Sequence, residues 1–118
     1  MKIQEIVALI DAEVKSGSDK LEEEVSSAFG SDMMSEVLAY VQNQGVLLTG
    51  LVNEQIIRTA AMMNMYCIIM VRGKQPTDNM VEMAEDNDLV LLTTERTLYE
   101  TSGILYTNGL NPAGHSYV

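Results

Sequence analysis

The sequence predicts an α/β domain, with layers of helix around a small and mostly parallel sheet. Three observations carry that expectation. The runs Gly45 to Thr49, Met65 to Val71 and Leu89 to Thr93 are short and almost wholly apolar, as strands buried on both faces are. Helix-length amphipathic patterns lie between them, so successive strands are parallel and cross over right-handed. Each run stops at a small, polar turn: Thr49-Gly50, Arg72-Gly73-Lys74 and Thr93-Thr94. Two overlapping βαβ units result, Gly45 to Val71 and Met65 to Thr93.

The elements follow in chain order. Ile3, Ile6, Val7 and Ile10 keep the i, i+3, i+4, i+7 spacing of an amphipathic helix, which ends before the loop Ser16-Gly17-Ser18-Asp19. Ala12 to Lys15 reads as a brief strand. Leu21 to Ala28 alternates weakly and reads as an edge strand, with Glu22, Glu23 and Glu24 as charges that discourage sheet-to-sheet pairing. Consecutive strand residues point to opposite faces, so these glutamates make a poor metal site. Gly30-Ser31-Asp32 opens a second helix, with Ser31 as its N-cap and Asp32 favouring the dipole. Met34, Val37, Leu38 and Val41 give that helix its apolar face, and Asn43-Gln44-Gly45 closes it. Asn53 caps the third helix, on which Ile56, Ile57, Ala60 and Ala61 share a side. Pro76-Thr77-Asp78 starts the fourth, through Met80, Val81 and Ala84. Thr94 caps a last short helix through Leu98 and Tyr99 to Gly103. The domain spans 1–110, and 111–118 is a polar, turn-rich, flexible tail.

With 118 residues, 47% hydrophobic and 20% charged, the chain suits one globular core. The start Met1-Lys2-Ile3-Gln4-Glu5 is no signal peptide, and the longest apolar run is too short for a membrane span. The single cysteine, Cys67, excludes an internal disulfide and suits a reducing cytoplasm. Within a buried strand it is a packing residue and not a nucleophile. A net charge of −10 argues against nucleic acid as a partner. Nine methionines make a pliable core, and Met62, Met63 and Met65 would suit a subunit contact.

A parallel sheet binds ligands beyond the carboxyl ends of its strands. That edge carries Thr49, Gly50, Asn53, Arg72, Gly73, Lys74, Thr93 and Thr94 as candidate ligand-binding residues. Helix-start amides and two of the seven basic residues make an anion site there; glycine turns and solvated cations are the plain alternative. Gly73-Lys74 continues into Gln75-Pro76, so no GxxxxGK[ST] loop forms, and no GxGxxG occurs. Kinase and dinucleotide chemistry are therefore not expected. The lone histidine, His115, has no triad or metal partners nearby in sequence. Glu54 and Asp78 are acids at helix starts, accounted for by the dipole. No catalytic residue, metal or cofactor is expected.

The order of Val25, Ser31-Asp32-Met33-Met34-Ser35-Glu36-Val37, Leu48-Thr49-Gly50, Val71-Arg72-Gly73-Lys74-Gln75-Pro76, Thr93-Thr94 and Gly103-Ile104-Leu105-Tyr106 resembles the DRTGG domain. That domain is similar to the N-terminal domain of HPr kinase/phosphorylase. The resemblance covers residues 1 to about 110 and rests on the order and spacing of short motifs. It implies a layered α/β domain with a non-catalytic regulatory role, homodimer contacts and a metabolic enzyme as partner. Such domains accompany CBS modules in nucleotide-regulated pyrophosphatases and stand at the front of some phosphotransacetylases. A serine kinase label, common for stand-alone members, belongs to a P-loop domain this sequence lacks. Of the name motif only Gly73 is kept: Leu51-Val52-Asn53 stands where the acid–Arg half would fall. The expectation is thus a cytoplasmic regulatory module; the other reading is a sensor for an adenine nucleotide or another anion.

Overall fold

The computed structural model describes residues 1–41 and 45–113. Five helices and six strands appear, in the order α1 (Ile3–Ile10), β1 (Glu13–Ser16), β2 (Ser27–Gly30), α2 (Met34–Tyr40), β3 (Val46–Thr49), α3 (Glu54–Met62), β4 (Cys67–Met70), α4 (Asp78–Asp86), β5 (Val90–Thr93), α5 (Leu98–Thr107) and β6 (Asn111–Pro112). They build one sheet in the order β1-β5-β4-β3-β2-β6. Only β1 runs antiparallel to its neighbour.

The central strands β3, β4 and β5 are buried at every residue, because helices cover both faces. Alternate residues serve alternate cores. Leu47, Ile68, Met70 and Leu91 pack with α2, α3 and α4. Val46, Leu48, Cys67, Ile69, Val90 and Leu92 pack with Ile3, Ile6 and Ile10 of α1 and Leu105 of α5. The result is an α/β/α sandwich of the expected class. Register aligns Thr49 with Met70 and Met70 with Thr93, so the three strand ends share one edge. Cys67 is fully buried, and burial alone pushes its thiol pKa far up.

Five local expectations change. The glutamate-rich stretch before β2 is not an edge strand. Its carbonyls take up amides of the chain's start: Ile3 N–H donates to Glu23 O at 3.0 Å and Gln4 N–H to Leu21 O at 2.9 Å. Those are orphan donors of the first turn of α1, so the segment serves as a backbone cap. The strand itself is Ser27–Gly30, paired on both sides by β3 and β6.

Ser31 is not the cap of α2. Met33 holds that position without a side-chain bond, while Ser31 Oγ accepts from Met33 N at 2.9 Å. Thr94 likewise does not cap the last helix. Thr97 does, in a reciprocal capping box with Glu100, and α5 runs on past Gly103 to Thr107. Thr94 is otherwise engaged, its hydroxyl donating to Ile10 O at 2.7 Å. At the C-terminal end, Asn111–Pro112 pairs with β2 while Leu110 and Ala113 are buried. Strand pairing therefore reaches into the stretch read as tail. Residues 114–118, with His115, lie outside the described residues, as do Asn43 and Gln44.

Met62, Met63 and Met65 do not form one patch. Met62 is exposed, whereas Met63 packs on the core and Met65 is buried in it.

Candidate functional site

The carboxyl edge of the sheet is built around a tight turn after β4. Lys74 N–H donates back to Val71 O at 3.3 Å, and both central residues are left-handed, Arg72 at φ 60° and Gly73 at φ 68°. That is the type I′ geometry, natural for Gly73 and uncommon for Arg72. The turn is lashed to the loop after β5: Arg72 N–H donates to Arg96 O at 2.8 Å and Gly73 N–H to Thr94 O at 2.9 Å. The Glu95 carboxylate lies against Gly73, where a Cβ would come within 2.6 Å of its Oε2.

Across from this turn stands the end of β3. The Arg72 guanidinium lies over Gly50 so closely that a Cβ there would collide with it. Glycine at 50 lets the guanidinium lie there; a larger residue would displace this exposed side chain. The decisive neighbour is Asp32. Its Oδ1 accepts from Thr49 Oγ1 at 2.8 Å and from Gly50 N–H at 2.7 Å. The Gly50 amide holds the Asp32 carboxyl below the usual carboxylate range, helped by the Thr49 hydroxyl and the charge of Arg72, against a partial-burial effect of opposite sign. Thr49 Oγ1 also accepts from Leu51 N–H at 3.1 Å, which shapes the entry to α3.

The structure therefore brings together Thr49, Gly50 and Arg72 of the expected residues, with Gly73 alongside. Lys74 is exposed and forms no ion pair among the described residues. Asn53, Thr93 and Thr94 are used by the fold. Asn53 Oδ1 accepts from Gln55 N–H at 2.9 Å and caps α3, Thr93 is buried at the end of β5, and Thr94 anchors α1. Sequence reasoning assigned Asp32 to a helix start and passed over Glu95. No short-range signal marks either, since their partners lie at the ends of β3 and β4, distant in sequence.

Chemically the edge is a mixed one. It carries two cations, Arg72 and Lys74, and two carboxylates, Asp32 and Glu95, and the strand-end amides are answered from within. A groove of about 440 Å³ adjoins it at the starts of α3 and α4, lined by Asn53, Glu54, Gln55, Arg58, Thr77 and Met80. Its own charges are partly matched, Glu54 and Arg58 being 3.6 Å apart. Among the described residues no three His, Cys, Asp or Glu side chains gather as a metal site, and no helix is long and apolar enough to cross a membrane.

Fold and edge together define a small α/β/α domain around a mostly parallel sheet. The chain belongs to the DRTGG domain family, whose profile matches residues 5–108. Among solved structures it is similar to the CBS and DRTGG domains of the regulatory region of Clostridium perfringens pyrophosphatase, determined in complex with the activator diadenosine tetraphosphate. The TM-score is 0.73 at 13% identity, over 98% of this chain and 51% of that one. The chain thus spans about half the length of that structure. No curated protein matches it.

Proposed function

We propose that this chain is a non-catalytic regulatory and interaction module that works as a homodimer in the cytoplasm and acts on a metabolic enzyme. The observation that carries the proposal is the internal pairing of the edge where α/β proteins do their chemistry. Asp32 occupies the Thr49 hydroxyl and the Gly50 amide, and the loop after β5 occupies the amides of Arg72 and Gly73. An edge satisfied in this way is a rigid, shaped surface and not a preorganised reaction centre.

A second reading is favoured by the exposed Arg72 and Lys74, the two cations of this edge in a chain of net charge −10. In it, an adenine nucleotide or another polyphosphate binds here and takes over the Gly50 amide from Asp32. The activator in the pyrophosphatase complex supports that ligand class for this chain.

Thermal melts with adenine nucleotides, diadenosine polyphosphates and inorganic phosphate separate the two readings. A real site at about a hundred times its Kd adds roughly 2.7 kcal/mol, several degrees at this size. A shift that vanishes in Arg72→Ala establishes the sensor. A flat panel with a dimer in sedimentation equilibrium supports the interaction module; a flat panel with a monomer removes both readings.

A further inference from the structure

α5 is apolar on two sides. Leu98, Thr101 and Leu105 face the sheet, with Thr101 and Leu105 buried. At 100° per residue, Tyr99, Gly103 and Tyr106 fall on a flank turned away from the sheet, with Ser102 at its border beside Leu98. Tyr99 is 91% and Tyr106 71% exposed, and nothing approaches within 4 Å of a Cβ built at Gly103. Two exposed tyrosines beside two small residues thus form an aromatic stripe that the described residues leave uncovered.

Charge selects what covers it. The one acid on α5, Glu100, is bound to Arg96 at 3.1 Å, so the outward stripe carries no uncompensated charge. A basic partner has ample acidic surface elsewhere on a chain with 17 acidic residues, and nothing to pair with here. Two copies of a strongly acidic chain, by contrast, meet with least repulsion across a neutral seam.

The spacing itself is symmetric. Tyr99 and Tyr106 each stand three residues outside the small pair Ser102-Gly103, so the midpoint falls between the two small residues. A two-fold axis there lets a pair of antiparallel α5 helices cross closely at Ser102 and Gly103. It also sets Tyr99 of each copy beside Tyr106 of the other, as an isologous interface requires. Next to Tyr106 lies an apolar hollow of about 130 Å³, bounded by Ala28, Leu48, Leu105, Leu110 and Pro112. Tyr99 of the second copy has a place to insert its ring.

We infer that the outer face of α5 is the dimer interface of this protein, its occupant a second copy of the same helix. The inference rests on the homodimer reading above and adds its surface. Sedimentation equilibrium of the wild type and of Tyr99→Glu/Tyr106→Glu tests it, with far-UV circular dichroism and melting to confirm that both fold. The dimer should weaken at least about thirtyfold, the weight of one interface hot spot. Ser102→Cys should be captured as a covalent dimer by a short bismaleimide, and Glu82→Cys on α4 should not. Cys67, fully buried, stays silent in that assay. A wild-type dimer that survives the double substitution, with no Ser102→Cys capture, overturns this surface and leaves the homodimer standing. A wild type that is monomeric at its highest soluble concentration overturns both.

Discussion

Asp32 shows how one side chain sets the character of a whole strand edge. Its carboxylate bonds the hydroxyl of Thr49 and the amide of Gly50, and both are charge-assisted contacts. Asp32 is exposed, so the contribution is discounted for solvent. Asp32→Asn should therefore lower stability by only about 1 kcal/mol at neutral pH. The pH dependence follows from the direction of its pKa. A carboxyl whose folded pKa is depressed stabilises above its unfolded value, about 3.9, and loses that contribution as pH falls through the lower, folded value. Wild type and Asp32→Asn should differ at pH 7 and converge in strong acid, as measured by urea unfolding across pH. A constant gap down to the lowest pH would falsify the carboxylate's role. If the sensor reading holds, the same substitution should also change phosphate affinity, because it alters the competitor for the Gly50 amide.

At the level of elements, short-range rules succeeded wherever neighbours in sequence settle the matter. Asn53 caps α3 through Gln55 N–H, as its position before an amphipathic run implies, and Thr77, read only as part of the start of α4, caps it through Met80 N–H. Ser31 and Thr94 failed as caps because each hydroxyl had another use, one within its own turn and one on α1. Weak alternation in Leu21 to Ala28 was insufficient to locate β2, since only pairing with β3 decides where that strand begins. Gly45 carries a constraint of the same non-local kind. A Cβ there would press into the Ser27 hydroxyl at 2.6 Å and collide with the Ser27 carbonyl oxygen. Both are held at the β2–β3 junction, so Gly45→Ala should push the strands apart and cost about 2 kcal/mol. A drop in Tm of roughly 6–10 °C is expected; an unchanged Tm would show that the junction yields freely.

For the molecule as a whole, the last described residues matter more than their composition suggests. Leu110 and Ala113 are 3% and 2% exposed, and Ala113 N–H donates to Ala28 O at 2.8 Å. A chain ending at Gly109 uncovers Leu110's place in the core and leaves β2 as a bare edge. It should lose about 2–4 kcal/mol and aggregate more readily on heating, since an unpaired edge invites further strands. Urea midpoints of the full and shortened chains measure the first effect and light scattering the second. Equal midpoints would return 111–113 to the status of a loose tail.

The continuous apolar runs of β3, β4 and β5, and the amphipathic spacing of the helices between them, determined the layered, mostly parallel fold by themselves. Adjacent residues set those patterns, and burial on two faces leaves few other ways to satisfy them. Even the edge that bears Thr49, Gly50, Arg72 and Gly73 followed, because strand direction dictates which turns are neighbours. Tertiary structure alone decided what that edge offers. Asp32 meets Gly50 18 residues along the chain, and the Thr94 hydroxyl meets Ile10 84 residues back. Whether a donor is free or taken depends on distances of a few ångströms between segments that local sequence does not relate.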